Sequence, residues 1–119
     1  MFRNMLLSKI HRARVTGADL HYEGSITVDE ILMEAAGMLP YERVQVLNIS
    51  NGERAETYVI AGERGSGQII LNGAIARMAQ EGDPVIILAY GWVEDSIALK
   101  VKPKIILVDE KNRIIRSHK

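Results

Sequence analysis

The dipeptide Gly24-Ser25, inside the stretch EGSIT between two strand-like segments, sets a nucleophile directly after a residue with no Cβ. A serine hydroxyl can attack the carbonyl that precedes it, turning the peptide into an ester, if the backbone is held in a conformation that a Cβ would resist. Glycine at position 24 removes that obstacle. β-Elimination of the ester leaves a dehydroalanine, which hydrolyses to a pyruvoyl group, an electrophilic ketone at the new N-terminus. The dipeptide alone does not select this route. A turn or capping serine is the commonplace alternative, and the chain carries its own comparison in Gly65-Ser66.

A second group of residues is Arg54, Thr57 and Tyr58, in a segment of strand-forming residues. By strand parity Arg54 and Tyr58 share one face and Thr57 points to the other. A guanidinium can grip a carboxylate through two charge-assisted hydrogen bonds, and a phenol ordinarily keeps its proton at neutral pH. On this reading an anion clamp and a proton donor lie side by side; an exposed Arg and an ordinary strand Tyr are the other reading. His11, His21 and His118 have neither paired-ligand spacing nor an obvious carboxylate partner, so no metal site is expected. No Gly-x-Ser-x-Gly elbow surrounds either Gly-Ser. The pairs Asp19/Glu23 and Asp109/Glu110 read as solvated turn residues. Tyr90 and Trp92 either line a pocket or pack. GERGSGQ, residues 62–68, lacks the Lys-Ser/Thr of a phosphate-binding loop and the GxGxxG spacing, and reads as a turn.

The elements that must carry these groups are short. Between Met5 and Val15 the pattern alternates loosely as a strand, with Leu6, Ser8, Ile10 and Arg12 on one side and Leu7, Lys9, His11 and Ala13 on the other. TVDEILMEAAGML changes period: Thr27 and Glu30 read as a capping box, Ile31, Leu32, Ala35 and Ala36 as an apolar stripe, and Gly37 as the stop. Two strands flank Asn51-Gly52, a dipeptide that suits a tight hairpin. Further strands are expected at 69–71, 85–90 and 105–108, with a helical piece at 74–80 and a turn at DEKN before 113–115. Many short strands, small helices and no βαβ rhythm predict an all-β fold with short helices, a compact barrel.

At 119 residues the chain is one domain by length, able to bury roughly two-thirds of its unfolded surface. Fifteen basic and fifteen acidic side chains cancel without blocks of like charge, which argues for no nucleic acid and no membrane as partner. With no Cys there is no disulfide framework and no thiol nucleophile. The apolar pair Leu6-Leu7 is too short for a signal-peptide core, and no run of about 18 apolar residues follows, so a cytoplasmic protein is expected.

Taken in order, MLLSKIHRARVTGADLHYEGSITVD, NGERAETYVIAGERGSG and LNGAIARMAQEGDPVIILAY closely resemble the aspartate 1-decarboxylase family, pyruvoyl-dependent enzymes that make β-alanine for pantothenate. The similarity runs from Met1 to about Val108. Its most specific elements are ADLHYEGS and RxxTYxIxGERGSG at their present spacing. It implies that the chain cuts itself between Gly24 and Ser25, giving residues 1–24 and 25–119, and that Ser25 becomes the pyruvoyl cofactor while Gly65-Ser66 stays a loop.

The resemblance further implies that L-aspartate condenses with the ketone as a Schiff base and leaves as β-alanine and CO2. Arg54 would bind a substrate carboxylate and Tyr58 would donate the proton. Thr57 would serve processing and substrate contact, and Gly73, Ala74 and Ile75 would form a backbone-lined edge of the site, with Lys9, Tyr22 and Asn72 in support. A double-psi β-barrel is implied, as is a homotetramer with sites between neighbouring subunits. Many relatives read NGAAAH where this chain has Asn72-Gly73-Ala74-Ile75-Ala76-Arg77, so Ile75 changes pocket shape more than chemistry if the contact runs through backbone amides. The alternative from another class is an unprocessed barrel that serves as a binding or assembly module.

Overall fold

The computed structural model describes residues 1–118; Lys119 and the side chain of His118 lie outside the described residues. In chain order the strands are β1 (Phe2–Arg14), β2 (Gly17–Asp19), β3 (Ser25–Asp29), β4 (Arg43–Asn48), β5 (Arg54–Gly62), β6 (Ile69–Asn72), β7 (Pro84–Glu94), β8 (Lys104–Val108) and β9 (Ile114–His118), with one α-helix, α1 (Glu30–Ala36), and 3-10 turns at Gly73–Met78 and Asp95–Lys100. The short β2, the Asp95–Lys100 turn and the reach of β7 to Glu94 lie beyond the sequence expectation.

The hydrogen-bonded order β2-β6-β3-β5-β4-β7-β1 closes on itself. β2 continues β1 after only Val15 and Thr16, whose amides donate to the carbonyls of Asp83 and Ile69 at 2.9 and 2.8 Å. The β1–β2 strand therefore passes from β7 to β6 and seals a six-strand ring. Its junctions β3·β5 and β2·β6 are parallel and the others antiparallel. This all-β ring of mixed pairing, with small helices between its strands, is the double-psi β-barrel that the resemblance implied. β8 adds in parallel to β1 outside the ring, and β9 pairs with β8.

The barrel is narrow, so β-branched and other compact side chains fill it. Ile10, Val15, Ile26, Val28, Val44, Val46, Val59, Ile69, Leu71, Val85 and Ile87 are all buried in one cluster. Each contributes about 1.5–3 kcal/mol relative to exposure. α1 packs against β1, β3 and β8 and turns Leu32, Met33 and Ala36 inward.

Three local readings change. The parity of β1 breaks at bulges between Leu6 and Ser8 and between His11 and Ala13. Arg12, with φ of 65°, is the extra residue of the second bulge and is exposed, so Ala13 and Val15 join Ile10 inside. The cap of α1 is Asp29, whose carboxylate accepts the Ile31 amide at 2.9 Å. Thr27 is instead paired into β3, because parallel and antiparallel neighbours claim its backbone. Gly37 does end the helix, at φ 73°. The β4–β5 hairpin exists, but its loop is residues 49–53 and only Gly52 has positive φ there. Buried Asn48 widens the turn by accepting the Ser50 amide at 2.9 Å while donating to the Met78 carbonyl at 2.9 Å and to Asp83 at 3.0 Å.

Asp29 also receives the Gly65 and Gly67 amides, at 3.0 and 2.8 Å. The glycine-rich loop thus binds an anion, but the anion is the chain's own carboxylate, which leaves those amides unavailable to a phosphate. Burial works to raise the Asp29 carboxyl, yet the amides of Gly65, Gly67 and Ile31 and the Arg113 charge together hold it below its ordinary value. A depressed folded value contributes stability that is present above the unfolded value, about 4, and is lost as pH falls through the folded one. Asp29→Asn turns an amide nitrogen toward one of these donors and is expected to lose about 1–3 kcal/mol in guanidinium unfolding at neutral pH. Its stability should also fall less than the wild type's below about pH 4; equal acid slopes would contradict this role.

Candidate active site

β3 begins at Ser25, and its antiparallel register with β6 puts Ser25 opposite Asn72. Both are almost wholly buried, at 1% and 3% relative exposure. The Asn72 Nδ2 amide donates to Ser25 Oγ at 3.0 Å and to Thr27 Oγ1 at 2.9 Å. Ser25 Oγ in turn donates to the Glu23 carbonyl at 3.0 Å, so the hydroxyl is turned back along the chain toward the Gly24 link. Ser66 also bonds a carbonyl, that of Glu63, but it is exposed and receives no side-chain amide. The two Gly-Ser pairs are separated by burial and by Asn72.

The steric role given to Gly24 belongs to Gly73. A Cβ added at Gly24 meets nothing within 4 Å. At Gly73, with φ of 74°, an added Cβ would come within 2.7 Å of the Gly24 Cα and 2.9 Å of its nitrogen. The close approach is between two backbones, and residue 73 is where glycine is required.

Tyr58 joins this centre. β3 and β5 run parallel with Ile26 opposite Val59, so Ser25 and Tyr58 occupy adjacent strand positions. Both line a cleft of about 350 Å³ whose other walls include Tyr22, Glu23, Tyr41 and Ile60. The Tyr41 and Tyr58 rings lie 6.1 Å apart at 40°. Thr57 shares the inward face of Val44, its cross-strand partner, and is half-buried, on the side opposite Tyr58 as parity predicts.

Arg54 does not meet Tyr58. The two share a face, but four residues of strand separate them by about 13 Å. Arg54 lines a different hollow, of about 410 Å³, with Ala74, Ile75 and Arg77. The segment after Asn72 therefore divides the two spaces, with Gly73 against Gly24 and Ala74 and Ile75 beside Arg54. Lys9 also lies away from Ser25. On the outer surface, register aligns Arg54, Leu47, Ile86 and His11 in one row across four strands, and Glu56, Gln45, Leu88 and Lys9 in the next. His11 carries a buried Nδ1 with no partner among the described residues. Burial pushes its imidazole below the ordinary value, and the charges of Lys9 and Arg12 push the same way.

Thr27 is the residue that sequence reasoning leaves out of the site, because beside Glu30 it reads as a cap. The period-2 pattern places Ser25 and Thr27 on one face of β3, which was the available signal for Thr27. Another hollow, about 490 Å³, lies on the outer surface beside Arg43, Glu56, Tyr90 and Trp92 and holds none of the expected site residues. Tyr90 and Trp92 thus line a hollow and are exposed. Among the described residues no three His, Asp or Glu side chains gather as a metal site.

A profile of the family described as "Aspartate decarboxylase" matches residues 1–115. An aspartate 1-decarboxylase of Carboxydothermus hydrogenoformans is 57% identical over 98% of this chain and 91% of its own length. One from Thermoanaerobacter pseudethanolicus is 58% identical over 95% and 97%, and one from Leptospira biflexa 60% over 88% and 90%. Among solved structures, a rationally designed protein overlaps with a TM-score of 0.48 at 12% identity, over 66% of this chain and 91% of its own, too slight a similarity to add to the fold.

Backbone overlap at Gly73 predicts that Gly73→Ala loses at least about 1–2 kcal/mol from its positive φ alone, whereas Gly24→Ala keeps the wild-type denaturation midpoint within about 0.5 kcal/mol. Equal losses in the two variants would show that the close approach does not constrain the site.

Proposed function

The chain belongs to the aspartate decarboxylase family, and from that premise we propose that it cuts itself between Gly24 and Ser25, converts Ser25 to a pyruvoyl group, and decarboxylates L-aspartate to β-alanine and CO2. The observation that carries this reading is the buried Ser25 hydroxyl, held by Asn72, turned toward the Gly24 link and opening on a cleft with Tyr58.

In the cutting reaction Ser25 Oγ bonds to the Gly24 carbonyl carbon as the C–N bond breaks, and the hydroxyl proton passes to the freed amine. Loss of the Cα proton to water then breaks Cβ–Oγ, and Oγ leaves as a carboxylate oxygen of Gly24. Hydrolysis of the dehydroalanine releases ammonia, so one water is consumed overall. The residues present fit the product. Ser25 lies inside a shell without titratable contacts to its oxygen, and the two facing glycines leave backbone room where a Cβ at position 73 would intrude.

A pyruvoyl ketone supplies an electron sink for the pair left behind when CO2 departs. The chain must hold the other carboxylate and return a proton. Arg54 is the clamp, since neutralising the departing carboxylate would stabilise the ground state it has to leave. Tyr58, beside Ser25 in the cleft, donates the proton to the substrate carbon. Thr57, on the inward face, positions the scissile peptide. Gly73, Ala74 and Ile75 offer backbone amides, and Tyr22 walls the cleft.

Arg54 and Lys9 stand on an outer face away from the cleft of their own chain. That separation supports the homotetramer with sites between neighbouring subunits that the family resemblance implies, in which one copy's Arg54 and Lys9 serve another copy's Ser25 and Tyr58. No helix among the described residues is long and apolar enough to cross a membrane. We place the enzyme in the cytoplasm, supplying β-alanine for pantothenate and coenzyme A.

Tyr58→Phe tests the assignment. The variant should be cut at position 24 as wild type is, yet its kcat for release of β-alanine from aspartate should fall about 10²–10⁴-fold. Normal turnover would remove Tyr58 from the donor role. No β-alanine from the wild-type chain would overturn the activity itself.

A further inference from the structure

Resting on the self-cutting reading above, we infer that Thr27 is a positioning residue for it, fixing the Asn72 amide so that Asn72 donates to Ser25 Oγ. The Ser25 hydroxyl has one proton, and it goes to the Glu23 carbonyl. Its remaining capacity is as an acceptor, so Asn72 must present Nδ2 rather than Oδ1 to it. Nδ2 carries two hydrogens. One reaches Ser25 Oγ at 3.0 Å and the other Thr27 Oγ1 at 2.9 Å. Thr27 is the second acceptor for that amide. Without it a buried N–H is left unpaired, and the soft terminal torsion of Asn72 turns to find another partner.

The geometry of Thr27 is itself fixed. It stands in β3 between β5 and β6, with Ile60 and Ile70 as its strand partners. Its Cγ2 methyl lies toward Gly62, where an added Cβ would come to 3.0 Å. With the methyl held there, the stiff χ1 of a β-branched residue aims the hydroxyl at Asn72. The methyl only favours this rotamer; the Thr27 hydroxyl is the group that fixes Asn72 and through it the hydrogen bond to Ser25.

The bond it sets acts on a reacting atom. When Cβ–Oγ breaks, Oγ takes the electron pair and becomes a carboxylate oxygen of Gly24. A hydrogen bond from Nδ2 strengthens as that charge develops, which accelerates the step rather than holding the starting peptide.

Two substitutions separate this role from packing. Thr27→Val keeps the shape and the methyl but removes the acceptor; Thr27→Ser keeps the acceptor but removes the methyl. Uncut full-length chain of each is incubated, and the cut fraction is followed on denaturing gels beside wild type. Thr27→Val should be cut about tenfold more slowly, and Thr27→Ser within about twofold of wild type. A normal rate for Thr27→Val, or a loss confined to Thr27→Ser, overturns the inference and leaves the self-cutting reading standing. Should Thr27→Val not fold, Thr27→Ala takes its place: slow cutting there beside near-normal cutting of Thr27→Ser supports the hydroxyl role, and normal cutting of Thr27→Ala overturns it. A wild-type chain that stays uncut overturns both.

Discussion

The register of β3 against β6 is the constraint on which the site depends. It sets Ser25 opposite Asn72, and with it the hydrogen bond that distinguishes this serine from Ser66. A slip of one residue would turn Ser25 to the other face and put Ile26 in its place. The register is held from both ends. At the far end, Asp29 draws the Gly65 and Gly67 amides onto the foot of β3. At the near end, Gly73 lets the chain after β6 come into backbone contact with Gly24. Asn112 extends the hold to the barrel's seam: its side chain bonds the backbone of Arg14 on both sides and the Gly67 carbonyl at 2.7 Å.

A narrow barrel filled with Val and Ile leaves no room inside for a substrate. Chemistry is displaced to the rim and the outer surface, and the rim is where β3, β5 and β6 meet. That explains why the expected groups divide in two. Ser25 and Asn72 lie at the ends of β3 and β6 with Tyr58 beside Ser25, while Arg54, at the start of β5, and Lys9, within β1, stand on the outer sheet away from them. That face carries both signs, because the register sets Arg54 in the row of His11 and Glu56 in the row of Lys9. Within a single copy the two groups do not meet.

Much of the fold was legible where local chemistry decides it. Gly37 announced the end of α1, Asn51-Gly52 marked the β4–β5 hairpin, and the spacing of ADLHYEGS against RxxTYxIxGERGSG carried the family. The misreadings share a cause: a distant partner outbid a local preference. Thr27 has the chemistry of a cap, but Asn72, far along the chain, takes its hydroxyl and Asp29 caps instead. Asn51-Gly52 suits a two-residue turn, but buried Asn48 recruits the loop. Parity in β1 fails at two bulges, between Leu6 and Ser8 and again where Arg12 adds a residue to the strand. Parity in β5 was right about faces and silent about distance, so Arg54 and Tyr58 share a side without sharing a hollow. Gly24 drew attention by standing next to the serine, whereas the glycine under steric constraint is Gly73, which only the folded approach reveals.

The intact mass of the purified protein under denaturing conditions tests whether Ser25 is the origin of an electrophile made from the chain itself. Two species are expected, residues 1–24 and residues 25–119, the second lighter by one ammonia than a fragment beginning with serine. A single full-length mass that persists on incubation at raised temperature would contradict that origin.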